Sequence, residues 1–248
     1  VMADWNYWTE RSYYHKELSD RAKGLKEEME AAIHISNMIY DNATTYSSIL
    51  DAGCGTGHFI LSLEKKLNTD FNYLGVDITE QHIKDAVEIF SNKPNYNFVL
   101  GDVRSLPVSD NSYDVAICSN TIPHIPNIDK AIKELIRVSK NDVFIRMLIG
   151  GEVLITKKAL SRDFDENGEP KSYMYVNIYD EQYIKDIVGD LGELFIYDDK
   201  FDAEKIMKHY EAHKEAAGAN VATRIIEENQ FKGYLMLPWK IVHIKLKS

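Results

Sequence analysis

Residues 47–60, SSILDAGCGTGHFI, constrain the fold of this chain more than any other stretch. A short apolar run (Ile49, Leu50) ends in Asp51, glycines follow at 53, 55 and 57, and a second apolar run can open a helix. Glycines at alternate positions leave a loop without a Cβ wall, able to take positive φ and to lie close to a ligand. A helix starting near His58 would aim its unpaired N–H groups and the positive end of its dipole at the same place. Such a loop cradles something polar.

Spacing sorts the nucleotide ligands. A P-loop needs Lys-Ser/Thr after its last glycine, and His58-Phe59 stands there instead. A dinucleotide fingerprint needs a glycine or alanine one position after Gly57, where His58 would block the close helix approach. What remains is Asp-x-Gly-x-Gly-x-Gly. Downstream, Tyr73-Leu74-Gly75-Val76-Asp77 reads as an apolar strand ending in an acid, 20 residues beyond Gly57. A carboxylate at the end of the second parallel strand can accept hydrogen bonds from ribose hydroxyls. The competing role, a helix N-cap, falls better to Thr79, with Glu80 and Gln81 behind it. A third strand, residues 97–100, ends at Gly101-Asp102-Val103, and a fourth, residues 115–118, at Ser119-Asn120.

This series, with GVDITEQHI at residues 75–83, resembles the class I (Rossmann-like) S-adenosylmethionine (SAM)-dependent methyltransferases of the small-molecule type, over residues 47 to about 148. The resemblance implies an α/β three-layer sandwich. Its seven-stranded sheet is mostly parallel with an antiparallel last strand, and carries N-terminal helices and a helical insertion near the C-terminus. It implies that Asp51, Ala52, Gly53, Cys54, Gly55 and Gly57 wrap the methionine part of SAM, with Asp51 near the ammonium and sulfonium. Asp77 would bind the ribose, Ile78 would pack on the adenine, Asp102 would bond its amino group, and the Val103 N–H would read a ring nitrogen. Ser119 and Asn120 join the cofactor site, and Tyr13 and Tyr14 touch it from the N-terminal helices. S-adenosylhomocysteine (SAH) is the product.

Residues 119–125, SNTIPHI, lack the Asn-Pro-Pro-aromatic motif of amide and base N-methyltransferases. His124 matches a histidine of many small-molecule members of the family, either as a general base near the acceptor or as an orienting group. The turn at Asn141-Asp142 replaces the family's usual Pro-Gly-Gly, and Gly150-Gly151 separates two strand-like runs, VFIRMLI and EVLITKK.

Around this core (residues 47–160) the sequence predicts an N-terminal helical lid (1–46), a substrate-side excursion and helical cover (161–230), and a final strand (231–248). The lid has an aromatic start and apolar residues at helical spacing from Leu18 to Ser36. Tyr7 and Arg11 in the lid, and Tyr173, Tyr175, Asn177, Tyr179 and His209 in the cover, are the substrate candidates. Residues 202–229 read as one long helix or two, and 233–246 as one strand. His209 and His213 share a helical face, but no third ligand stands at a telling spacing, so no metal is expected.

A net charge of −10 argues against a nucleic-acid partner. Residues 161–230 alone hold 17 acidic against 8 basic residues, which suits a solvated surface or a cover for a neutral or cationic substrate. The apolar runs fall short of a membrane span, no signal-peptide pattern opens the sequence, and Cys54 and Cys118 read as buried reduced thiols. A cytoplasmic enzyme is expected, transferring a methyl group to an oxygen or nitrogen of a small metabolite. The alternatives are a protein or peptide methyltransferase and a catalytically silent SAM-binding sensor or assembly partner.

Overall fold

The computed structural model describes residues 12–42, 46–67, 70–204, 206–208, 211, 223–226, 228–232 and 235–247. Tyr7, Arg11, His209 and His213 lie outside the described residues, and Tyr13 and Tyr14 are described by backbone alone. Two helices, α1 (Ser12–Ala22) and α2 (Glu30–Asn42), precede the first strand. The core then alternates strand and helix: β1 (Ser48–Ala52), α3 (Ile60–Leu67), β2 (Asn72–Asp77), α4 (Glu80–Ile89), β3 (Tyr96–Leu100), β4 (Tyr113–Ser119), α5 (Ile128–Val138) and β5 (Ser139–Leu148). After it come β6 (Lys157–Ala159), β7 (Tyr173–Tyr175), α6 (Glu181–Val188), β8 (Gly192–Asp198), β9 (Thr223–Ile226), β10 (Asn229–Lys232), β11 (Leu235–Met236) and β12 (Trp239–Leu246).

Seven strands form one sheet in the order β3-β2-β1-β4-β5-β12-β8. Strands β1 to β5 run parallel, and β12 inserts antiparallel between β5 and β8. Successive strand side chains point to opposite faces, so each face has its own core. Leu50, Ala52, Val76, Ala116 and Ile145 pack under α5 and α6; Ile49, Tyr73, Val115, Ile117 and Phe144 pack under α2 and α3. This is the expected sandwich, antiparallel last strand included. Helix α5 is fixed at its start by the Asn127 side chain, which accepts from Asp129 N, and α6 by Asp180, which accepts from Tyr183 N at 2.7 Å.

Four expectations change from Ser139 onward. The fifth strand opens at Ser139, through the Asn141-Asp142 turn position, because α5 passes directly into it. The run EVLITKK is mostly loop, with a single bridge at Leu154↔Ile178 before the short β6-β7 pair. The insertion is helical at residues 203, 204 and 206–208, but its end is a β9-β10 hairpin that turns at Glu228, where helix was expected to run to residue 229. Pro238 then separates β11 from β12, dividing the expected last strand, and its carbonyl accepts from Ile149 N at 3.0 Å. No described helix is long and apolar enough to cross a membrane.

Candidate active site

The carboxyl ends of β1, β2 and β4 meet around the glycine loop. Gly53, Gly55 and Gly57 take φ of 82°, 56° and 78°, the left-handed region that only glycine enters freely. Crowding adds a second requirement. A Cβ on Gly53 would lie 2.0 Å from Thr121 Oγ1, and one on Gly55 would lie 2.9 Å from Leu18 Cδ1 of α1. The loop is tied to β2 by Gly53 N and Cys54 N, which donate to Val76 O at 2.7 and 3.1 Å.

Asp77 ends β2 beneath this loop. Its carboxylate accepts from Gly55 N at 2.9 Å and from Thr79 N at 2.8 Å, and His82 Nδ1 stands 3.2 Å from it. Burial alone would raise the Asp77 pKa, but the bonds from His82, Thr79 and Gly55 outweigh it and hold the carboxyl below its usual range. Thr79 is the N-cap residue of α4 without a side-chain capping bond, so the helix start is satisfied through Asp77 instead.

Asp51 lies on β1 facing the other way from Leu50, and is 2 % exposed. The Tyr73 hydroxyl donates to it at 2.7 Å, and no cation among the described residues pairs with it. Burial raises its pKa to about 7, against the Tyr73 bond and with the help of Asp77. A buried carboxylate without a counter-charge is costly, and a bound sulfonium or ammonium supplies one. His58 has the opposite bias: burial, Arg21 and His82 lower it to about 4. The side-chain-free cradle and the uncompensated acid fit SAM.

At the tip of β3, Asp102 accepts from Arg104 N at 2.8 Å and pairs with the Arg104 guanidinium at 2.5 Å. Val103 is buried beside it, and Ile78 follows Asp77 half-buried. Beyond β4, Asn120 adopts φ 61°, and a 3₁₀ turn, Ile122–His124, carries His124. His124 Nδ1 lies 2.8 Å from the Tyr175 carbonyl, which can only accept, so Nδ1 carries a proton and donates it there. Tyr173 and Tyr175 share one face of β7, ring to edge at 5.5 Å. Asn177 is instead consumed within the chain: its Nδ2 donates to Ile125 O at 3.0 Å and its Oδ1 accepts from Thr156 N at 3.1 Å, with the buried Tyr179 alongside. Asn177 is thus a tie between the 3₁₀ turn and the excursion, with its amide spent, which differs from the substrate contact expected of it.

The sequence reading missed three residues. Arg146 of β5 donates to Asp199 Oδ2 from Nε and Nη2 at 2.8 and 2.6 Å, stacks 3.9 Å over the Trp239 ring, and donates from Nη1 to Asn120 Oδ1. His82 was missed as well, and so was the partner acid Asp199. An arginine inside the apolar run VFIRMLI was the visible signal, since buried arginines are almost always paired. Among the described residues no cluster of three His, Cys, Asp or Glu could hold a metal.

Residues 44–187 match the family model described as a methyltransferase domain. The mouse mitochondrial arginine-hydroxylase NDUFAF5 is 30% identical over 131 residues, which is 52% of this chain and 36% of that protein. Demethylmenaquinone methyltransferase from Staphylococcus aureus (strain MRSA252) is 32% identical over 146 residues, 59% of this chain and 53% of that protein. The chain thus matches between about a third and a half of the length of these relatives. Magnesium protoporphyrin IX methyltransferase (ChlM) from Synechocystis PCC 6803, solved with bound SAM, superposes with a TM-score of 0.55 at 14% identity, covering 100% of this chain and 99% of that one. The family match spans more than half the sequence, and the sheet order, glycine cradle and strand-end acids agree with it: the chain belongs to the methyltransferase-domain family, with the class I, Rossmann-like fold of its SAM-dependent members.

Proposed function

We propose that this chain transfers the methyl group of SAM to an oxygen or nitrogen of a small metabolite held between the β4 tip and β7. The observation that carries this reading is His124: its Nδ1 donates to the Tyr175 carbonyl, which fixes the orientation of the ring in the 3₁₀ turn just beyond β4. The cofactor supplies an electrophilic methyl carbon whose leaving group is a neutral thioether. The residues of this chain then have three tasks. The glycine loop and Asp77 fix the donor, with Asp51 balancing its positive charge. The β4 tip and the excursion hold the acceptor in line and keep water out, and such alignment can lower a barrier by about 7–11 kcal/mol. His124 Nε2 receives the acceptor's proton where that acceptor is an alcohol; a neutral amine attacks unaided and loses its proton afterwards.

The test is turnover. The protein, SAM and a fractionated metabolite pool are incubated, and SAH release and the methylated product are followed by mass spectrometry. His124→Ala should lower turnover by about 10²–10⁴-fold for an alcohol acceptor while leaving SAM affinity within twofold; equal losses in both would remove His124 from the acceptor side. Tight SAM binding without SAH release would instead favour a sensor or another chemistry on the same domain. The arginine-hydroxylase similarity supports that second reading.

A further inference from the structure

Asn177 is fully buried between the 3₁₀ turn, Ile122–His124, and the two-stranded β6-β7 ribbon of the excursion. Its Nδ2 donates to Ile125 O at 3.0 Å, its Oδ1 accepts from Thr156 N at 3.1 Å, and its backbone N–H donates to Pro123 O at 2.9 Å. The two side-chain partners fix the sense of the amide, because an N–H only donates and a carbonyl only accepts. The position needs a donor and an acceptor on one short side chain, and asparagine carries both.

The turn holds its own backbone: His124 N and Ile125 N donate to Thr121 O and Ile122 O at 3.0 and 3.4 Å. The His124 ring is held from elsewhere. Its Nδ1 donates to Tyr175 O, 51 residues along the chain and two residues before Asn177. The ribbon that supplies this carbonyl has little protein around it. Residues 151–155 and 157–159 are exposed, and the ribbon is buried only at its base, at Asn177 and Tyr179. There Tyr179 N donates to Leu148 O at 3.2 Å, and Asn177 grips the turn. A two-stranded ribbon is marginally stable alone in water, so the place of the Tyr175 carbonyl depends on this anchorage.

We propose that Asn177 is a positioning residue for the methyl transfer. By pinning the base of the ribbon to the 3₁₀ turn it places the Tyr175 carbonyl, and through that carbonyl it sets the direction of the His124 ring. The inference rests on the reading of His124 as the group beside the acceptor. It makes the excursion part of the reacting site without any substrate contact from Asn177.

The test reads the ring directly. In protein carrying isotope-labelled histidine and saturated with SAH, NMR follows the Nδ1 proton of His124, identified as the resonance that His124→Ala removes. Asn177→Asp keeps an oxygen for Thr156 N and turns a second oxygen toward Ile125 O. Exchange of the Nδ1 proton with solvent should quicken by about tenfold to a hundredfold, with SAH affinity by calorimetry within twofold. Asn177→Ser, whose hydroxyl can satisfy one partner at a time, should give a smaller increase and guards against a folding defect in the first variant. Phe164→Ala, toward the exposed far end of the ribbon, should leave the exchange unchanged. On the metabolite fraction that the wild-type protein methylates, kcat of Asn177→Asp should fall by about tenfold to a hundredfold while the KM for SAM holds. Unchanged exchange in Asn177 variants that still bind SAH, or equal quickening in Phe164→Ala, would overturn the proposal. Exchange that quickens as expected with no loss of methyl transfer would instead overturn the reading of His124 beneath it.

Discussion

The β1–β3 side of the site and the β4–β7 side are built on the same sheet by different means. On the first, the polar groups are short-range: a loop N–H, a turn N–H and a helix imidazole meet one carboxylate within 28 residues, from Gly55 to His82. On the second, the longest ties cross 50 residues or more, as His124 to Tyr175 and Arg146 to Asp199 do. The excursion between β5 and β7 also leaves Leu154 and Ile155 about half exposed, at 48% and 55%. A cofactor common to a family can be met by a stiff local frame. The side proposed here for the acceptor is instead an inserted segment with few strands of its own.

The sharpest way to break this contrast is to add one methyl group on each side. Gly53→Ala combines left-handed strain of about 1–2 kcal/mol with overpacking of about 1–3 kcal/mol, since its Cβ would meet Thr121. The midpoint of thermal unfolding should fall by about 4–20 °C, and calorimetry should find no SAM binding. Gly151→Ala meets nothing within 4 Å and has no positive φ, so it should shift stability by about 0.5 kcal/mol at most. Similar effects at both glycines would erase the distinction.

Asp77→Ala comes next. It removes a possible ribose acceptor and strands the Gly55 and Thr79 N–H groups, so SAM binding should weaken by about 1–3 kcal/mol. Unchanged calorimetry would remove Asp77 as the ribose ligand and leave it as a brace for the loop.

The two sides also differ in how far they could be read from the chain alone. The glycine loop was legible because its conformation demands rare backbone: Gly53, Gly55 and Gly57 all take positive φ. Arg146 was visible as a charge in an apolar strand, but its partner was not. Asp199 reaches it only because β12 inserts beside β5 and brings β8 with it. The β9-β10 hairpin was misread as helix because its turn at Glu228, φ 66°, lacks the Asn-Gly or Gly that marks such turns. Asn177 looked like a ligand contact, as a polar residue among tyrosines, until its amide was seen to close the 3₁₀ turn.

The smallest expected effect is on pH dependence, and it belongs to the cradle. His58 has a folded pKa of about 4, below its ordinary 6.5, so its contribution to stability is present above 6.5 and lost as pH falls toward 4. Asp51 has a folded pKa of about 7, above its ordinary 3.8, so its contribution is present below 3.8 and lost as pH rises toward 7. The two slopes have opposite sign over nearly the same interval and largely cancel in the wild-type protein. Thermal unfolding between pH 4 and 7 separates them by substitution. Asp51→Asn removes the falling contribution, so stability should rise more steeply with pH than in the wild type. His58→Phe removes the rising one and should flatten or reverse the trend. SAM should act like a counter-charge for Asp51, so the wild-type protein with saturating SAM should gain more at pH 7 than at pH 5. A gain independent of pH would mean that Asp51 does not sense the cofactor's charge, and the cradle would then hold SAM by shape and by Asp77 alone.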